Sequence, residues 1–549
     1  MRLLLIAAVL AAAPVARAQG VLGGDDAPTR ADTLRGSVTP ERAWWDVTFY
    51  DLTVAVDPAA RAIRGSVGIS YRVVAPAREM QVDLQEPLAV DAVEQDGRAL
   101  RWRRDGDAVF VTLASPQTTG TVRTVTVRYS GVPREARNAP WDGGFVWATD
   151  SLGRSHVATA VQGLGASAWW PVKDSQADEP DSQRVAVTVP DALTNVSNGR
   201  LRRTTPNGDG TTTTEWFVAN PINTYNVALN IGRYAHFSDT YAGEAGPLTL
   251  DFYPLALNEA RARRQFAQTA PMLQCFERWF GPFPWPEDGF KLVETPFLGM
   301  EHQSAVAYGN GYQNGYLGTD LSGTGTGLSW DYILVHESGH EWWGNSLTSE
   351  DIADMWVHES FTTYSENLYV ECQQGRAAGA AYVIGQRRSI RNDAPIVGQF
   401  GVNREGSGDM YFKGANVLHT VRQLVGDDER WRQALRGLQS TYRHQTVTGV
   451  EVRDFLAEAT GVDLAAVFEQ YLETTRVPIL DVRLDGGRLL YRWADVVPGF
   501  TMPVEVTLGA RRATLRPTRA WQSAPTGVRS ASEVLVDPDY YVTLRVAAK

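Results

Sequence analysis

The chain has 549 residues, 43% of them hydrophobic and 21% charged, and this balance excludes extended disorder as its main state. With 52 Lys+Arg against 63 Asp+Glu its formal net charge is −11, which argues against non-specific nucleic-acid binding. At roughly 100–200 residues per domain the length predicts about three domains, each with ample core.

Residues 1–18 have the pattern of a signal peptide: Arg2, an apolar run over 3–15, and the small-x-small triplet Ala16-Arg17-Ala18, with cleavage predicted before Gln19. The run is shorter than the roughly 20 residues that span a bilayer, and no later stretch reaches that length. The expected product has no membrane anchor and is exported, to the periplasm or the extracellular space. Residues 19–42 are polar and rich in Gly, Asp and Arg, and read as a flexible lead-in.

From residue 43 to about 240 the pattern alternates. Tyr50, Leu52, Val54 and Val56 face one way and Asp51, Thr53 and Asp57 the other; Ile63, Val67, Ile69, Tyr71 and Val73 repeat the period of two. This predicts an N-terminal β domain of half-buried strands. Residues 241–475 read as a mixed, mainly helical domain. A stripe through Ala262, Phe266, Met272, Leu273 and Phe276 marks its first helices, and seven glycines over 309–327 read as a flexible loop. Residues 476–549 return to strands, with Asp485-Gly486-Gly487 turning a hairpin. The fold class is therefore multidomain α+β. The only cysteines are Cys275 and Cys372. An exported chain can pair them, but two buried thiols are the plainer reading.

His336-Glu337-Ser338-Gly339-His340 fits H-E-x-x-H. On a helix, residues four apart share a face about 5–6 Å apart, so both imidazoles can reach one Zn²⁺ while Glu337 reaches water beside it. Ser329 is the expected N-cap, with Asp331 in the first turn. Two neutral ligands call for a nearby carboxylate. Glu359 follows His340 after 18 intervening residues. His358 is a rival ligand, but adjacent helical residues point about 100° apart, so it is assigned to packing or support. His302 is assigned a supporting role. A metzincin is excluded, because Trp343 and Ser346 stand where its glycine and third histidine belong.

These residues resemble the M1 family of zinc aminopeptidases, which are gluzincins. The family's H-E-x-x-H, 18 residues, then Glu is matched by His336, Glu337, His340 and Glu359. Its G-A-M-E-N motif resembles Leu298-Gly299-Met300-Glu301-His302, its Y-x-K-G resembles Tyr411-Phe412-Lys413-Gly414, and Gln162 lies nine residues before Pro171 in a segment like the family's Gln/Glu-containing one. Two departures stand out: strands follow residue 475 where the family has a long helical domain, and a Gly-rich loop lengthens the gap between Glu301 and His336.

The resemblance implies a β-sandwich-like N-terminal domain, a thermolysin-like catalytic domain and a small C-terminal β domain. It implies one Zn²⁺ per chain, held by His336, His340 and Glu359. It further implies an aminopeptidase that removes the N-terminal residue of peptides through a zinc-activated water. Glu337 would act as general base and Tyr411 would stabilise the oxyanion. Glu301 and Gln162, with Gly299 and Met300 beside them, would bind the free N-terminus of a peptide substrate. A gluzincin endopeptidase and an inactive peptide-binding protein on the same scaffold are the alternatives.

Overall fold

A computed structural model describes residues 27–547. The signal-peptide pattern, its cleavage point and residues 19–26 lie outside the described residues. The rest of the lead-in departs from the expected loose segment. Helix α1 spans Arg30–Gly36, and Thr29 and Asp32 cap it reciprocally. Just beyond it, the buried Arg42 guanidinium pairs with Asp83, and Thr39 Oγ1 donates to Gln81 Oε1 at 2.8 Å. α1 buries no residue and so needs no apolar stripe; a capping box and ion pairs hold the segment.

The N-terminal domain is built on an eight-stranded sheet. Its central strand β1 (Trp45–Asp57) pairs antiparallel with β2 (Ala62–Val73) and parallel with β3 (Ser182–Pro190). The period of two lands as expected: Tyr50, Leu52, Val54 and Val56 are buried, while Asp51, Thr53 and Asp57 are exposed. Residues of two smaller sheets, among them Met80, Val111, Phe145 and Val157, share one core with that face. Trp169 and Trp170 fill it, with Trp170 edge-on to Tyr50 at 4.8 Å between ring centroids.

The next domain opens with a five-stranded sheet. Its strands are β4 (Phe237–Gly243), β5 (Gly246–Tyr253), β6 (Phe290–Glu294), β7 (Gly299–Met300) and β8 (Val306–Tyr308), in the spatial order β4-β5-β6-β8-β7. The edge strand β7 therefore carries Gly299 and Met300 at the rim. Helices α2 (Thr269–Phe280), α3 (Tyr332–Gly339), α4 (Trp356–Gln374) and α5 (Phe412–Val425) pack beside the sheet. α4 is buried continuously from Trp356 to Val370, so it forms the axis of the domain. Cys275 of α2 and Cys372 of α4 are joined in a disulfide, with Cα atoms 6.1 Å apart, rather than standing as two thiols.

The Gly-rich loop also differs from expectation. Asn310 Nδ2 donates to the carbonyls of Gln313 and Gly315 (2.8 Å each) and to Asp331 Oδ1 (2.9 Å). Arg388 Nη2 donates to the carbonyls of Asp320 and Leu321 at 2.9 Å. Gly311, Gly315, Gly318, Gly323 and Gly325 all have positive φ, so here glycine supplies tight turns rather than slack.

Downstream, the hairpin Ile479–Asp485/Arg488–Ala494 turns at Gly486-Gly487, both at positive φ. A four-stranded and a three-stranded sheet make up this last unit, and its core is continuous with that of the helices. Among the described residues no helix is long and apolar enough to cross a membrane.

Candidate active site

α3 starts two residues later than the sequence suggested. Asp331, not Ser329, is the N-cap: its carboxylate accepts from Leu334 N at 3.2 Å. The same carboxylate accepts from Tyr308 OH (2.6 Å), Gln265 (2.7 Å) and Asn310 (2.9 Å), which fixes the helix to the sheet and the Gly-rich loop. Ser329 ends a separate 3₁₀ turn.

The helix places His336 and His340 on one face, with ring centroids 5.1 Å apart. α4 brings Glu359 against both: its Oε2 lies 3.6 Å from His336 Nε2 and 3.5 Å from His340 Nε2. The far nitrogens are engaged. His336 Nδ1 meets Glu366 Oε1 at 2.8 Å, and His340 Nδ1 meets the Trp343 carbonyl at 2.8 Å. A carbonyl only accepts, so Nδ1 of His340 carries the proton and its Nε2 lone pair faces Glu359. Tyr382 OH and Gln386 donate to the second Glu366 oxygen, at 2.9 and 3.0 Å, and so hold Glu366 in place.

Glu359 Oε2 is buried with no hydrogen-bond partner. An orphaned carboxylate oxygen facing two imidazole nitrogens, all three donor atoms within 4.8 Å of one another, demands positive charge between them. Two neutral nitrogens and one carboxylate oxygen leaving a fourth position open are the donor set of a catalytic zinc site, and these residues fit Zn²⁺.

Glu337 faces the same cavity. Burial pushes its carboxyl up to about 7. It packs on Gly299, where an added Cβ would lie 2.7 Å from Glu337 Oε1, so only glycine leaves room for the carboxylate. Glu301 is 2% exposed, and its carboxylate, that of Glu337 and a His340 nitrogen lie within 4.8 Å of one another. Tyr225 OH donates to Glu301 Oε1 at 3.0 Å and Gln162 Nε2 at 2.5 Å; the same amide reaches Glu359 Oε1 at 3.4 Å. Gln162 thus spends its NH₂ on the two acids and keeps its amide oxygen as an acceptor. Met300 is buried against Ala158 and Ala160, joining the two domains at the cavity wall. Tyr411, just before α5, stacks on His336 with centroids 6.2 Å apart and lines the cavity.

All nine residues singled out from the sequence therefore border one cavity of about 240 Å³. His358 does not face it: its Nε2 accepts from Ser349 N at 2.9 Å. His302, assigned a supporting role, is fully buried and neither ring nitrogen has a hydrogen-bond partner. Two acidic residues escaped the sequence reading. Glu366 lies seven residues after Glu359 on α4, a spacing that marks the same helix face. Glu405 lines the cavity from an irregular segment with no local pattern to betray it.

Comparison with known proteins identifies the family of the chain. The family model for the peptidase M1 N-terminal domain matches residues 47–226, and that for the peptidase family M1 domain matches residues 264–471. Together they span more than half of the chain, which belongs to the M1 peptidase family. Among its relatives, the probable aminopeptidase 2 of Sulfurisphaera tokodaii is 20% identical over 73% of this chain and 51% of its own length. Aminopeptidase B of Rattus norvegicus is 24% identical over 62% of this chain and 52% of its own. The chain thus spans about half the length of the curated relatives it matches. The M1 zinc metallopeptidase of Deinococcus radiodurans, solved as a mutant bound to a Tyr-Ser-Ala substrate, shares the fold. Its TM-score is 0.69 at 22% identity, over 81% of this chain and 98% of its own.

Proposed function

We propose that this protein is a zinc-dependent aminopeptidase that removes the N-terminal residue of peptides. The observation that carries the reading is Glu301, a buried carboxylate set beside Glu337 and His340. A free α-ammonium is the complement of that carboxylate, and a charge-assisted hydrogen bond to it contributes about 1.5–3 kcal/mol. Holding the ammonium there leaves room for one residue before the scissile bond. An endopeptidase has no use for such an anchor.

His336, His340 and Glu359 would hold the zinc, which when bound supplies Lewis acidity and lowers the pKa of water in the site. Glu337, with its carboxyl raised toward neutrality, takes the proton from the attacking water and returns it to the leaving amine. The Tyr411 hydroxyl donates to the oxygen on which charge develops. The Gln162 amide oxygen is a second acceptor for the ammonium.

Aminoacyl anilides and N-acetylated peptides, assayed with wild type, Glu301→Ala and Glu337→Ala, test the reading. Wild type should release the N-terminal residue and spare blocked peptides. Glu301→Ala should raise KM for free N-termini, and Glu337→Ala should abolish turnover. Cleavage of blocked peptides by a Glu301→Ala variant as active as wild type would favour an endopeptidase.

We infer further that the protein is exported. The pattern of residues 1–18 and the Cys275–Cys372 disulfide support this, because disulfides persist in oxidising compartments. N-terminal sequencing of the periplasmic and medium fractions of its host should find a chain starting at Gln19. A cytoplasmic chain starting at Met1 would overturn it.

A further inference from the structure

The cavity around Glu301 is one of two lobes. A second lobe, of about 390 Å³, shares with it the wall formed by Gly299, His336, Glu337 and Tyr411. The two differ in chemistry. The first carries Glu301, Glu359, Glu405 and Asp142 against one arginine, Arg134. In the second, Glu337 of the shared wall is the one carboxylate; most of the remaining lining is apolar or aromatic, with Leu298, Tyr316, Ile333 and Phe412, and it adds Ser389, Arg388 and Arg391.

Both arginines are exposed. The guanidinium of Arg388 is fixed by the Asp320 and Leu321 carbonyls, and among the described residues no carboxylate stands within ion-pair distance of it. Arg391 pairs with Asp393 at 3.1 Å, but that pair is 40% and 46% exposed. Such a surface pair contributes little and yields to a competing anion. The cleft is therefore polarised: an acidic lobe, the reacting wall, then an apolar lobe with a cationic rim.

Resting on the aminopeptidase reading, we propose that the second lobe receives an apolar residue followed by a carboxylate. The preferred substrates are then short peptides, two to three residues long, with an apolar second residue and a free C-terminus. The ammonium sits on Glu301, the scissile carbonyl lies at the shared wall, and the carboxylate meets Arg388 and Arg391. An extended tripeptide spans roughly 10 Å, which is the separation at which its ammonium and carboxylate would be held. The carboxylate can come from the chain terminus or from an acidic side chain at the same place.

The test compares Leu-Phe-Ala, Leu-Phe-Ala-amide and Leu-Phe-Asp-amide, with leucine anilide as a substrate that has no carboxylate. Wild type should cleave the free acid with a KM about tenfold below that of the amide, as befits a charge-assisted contact. Recovery by Leu-Phe-Asp-amide would show that a side-chain carboxylate also serves; no recovery would assign the site to the chain terminus. The acid-to-amide ratio should fall toward one in Arg388→Gln, Arg391→Gln and the double variant. The ratio is taken within each variant, so loss of folded protein scales both peptides alike. A ratio near one in wild type, or one that survives the double variant, overturns the proposal. Leucine anilide turnover separates the two claims: if wild type cleaves it while all three peptides are equal, only the carboxylate site falls; if wild type cleaves neither, the aminopeptidase reading falls.

Discussion

The two walls of the cleft are held in place by different means. One is the helix pair α3 and α4, which carries His336, Glu337, His340, Glu359 and Glu366 in continuously buried segments. The other, residues 386–411, has only the short turns Gln386–Ser389 and Gly408–Met410, yet it supplies Glu405, Tyr411 and both arginines. Its shape is borrowed from its neighbours. Gly398 N donates to the Ala353 carbonyl at 2.8 Å, Gly401 N to Asp351 at 2.8 Å, and Asn403 Nδ2 to the Gly163 carbonyl at 3.0 Å. A helix places side chains by its own period, whereas an irregular segment places them only where other elements grip it. Changes to the helix wall should therefore move metal affinity or chemistry, and changes to the loop wall should move turnover with the metal intact.

The largest effect expected is on the helix wall. Glu337→Gln removes the general base but leaves the three ligands, so kcat should drop about 10²–10⁴-fold while zinc content stays near one per chain. On the loop wall, Tyr411→Phe removes one donor to the developing oxyanion and should lower kcat about 10²–10³-fold. Zinc analysis of that variant is the sharper measurement. Metal loss would mean that Tyr411, stacked on His336, holds the ligand helix, and the distinction between the walls would fail.

Glu366→Ala tests the same contrast from behind the metal. It removes the partner of His336 Nδ1, and the Tyr382 and Gln386 donors are left without their acceptor. Zinc affinity measured by chelator competition should weaken about 10–100-fold, with kcat of the saturated protein much less affected. An unchanged affinity would show that the helix alone orients His336.

Legibility in the sequence followed the same division. H-E-x-x-H and Glu359 were readable because a helical period turns spacing into geometry, and β1 was readable because a strand alternates. Glu366 was readable in principle, seven residues beyond Glu359, but a carboxylate paired to a ligand leaves no motif of its own. Glu405, Arg388 and Arg391 were not readable, because their places depend on contacts with residues far away in the chain. α1 was misread for a related reason: its composition is polar because it is held by a cap and by charged partners on other elements. The Gly-rich loop was misread because glycine marks both slack and tight turns, and only the partners of Asn310 and Arg388 decide between them.

The smallest effect expected lies at that misread helix, and it bears most directly on how the loop wall is held. Asp32 caps α1 and lies 3.6 Å from Arg404, while its carbonyl accepts from Asn403 N at 3.3 Å. Residues 403 and 404 directly precede Glu405. Asp32→Ala removes the carboxylate half of the capping box and the ion pair but keeps the Thr29 Oγ1 cap and the carbonyl contact. Loss of one hydrogen bond and a partly exposed ion pair costs about 1 kcal/mol, a factor of roughly five in a local opening equilibrium. Amide exchange over residues 398–411 should quicken by about that factor, kcat should fall by no more, and zinc content should not change. The Thr29 N–H bonded to Asp32 holds its carboxyl below the ordinary value, so the wild-type advantage is present above a pH of about 3.9 and is lost as pH falls through the lowered value. Exchange that quickens only within residues 30–36 would mean that α1 rests on the loop without holding it, and that the grip on Glu405 and Tyr411 comes from Ala353, Asp351 and Gly163 alone.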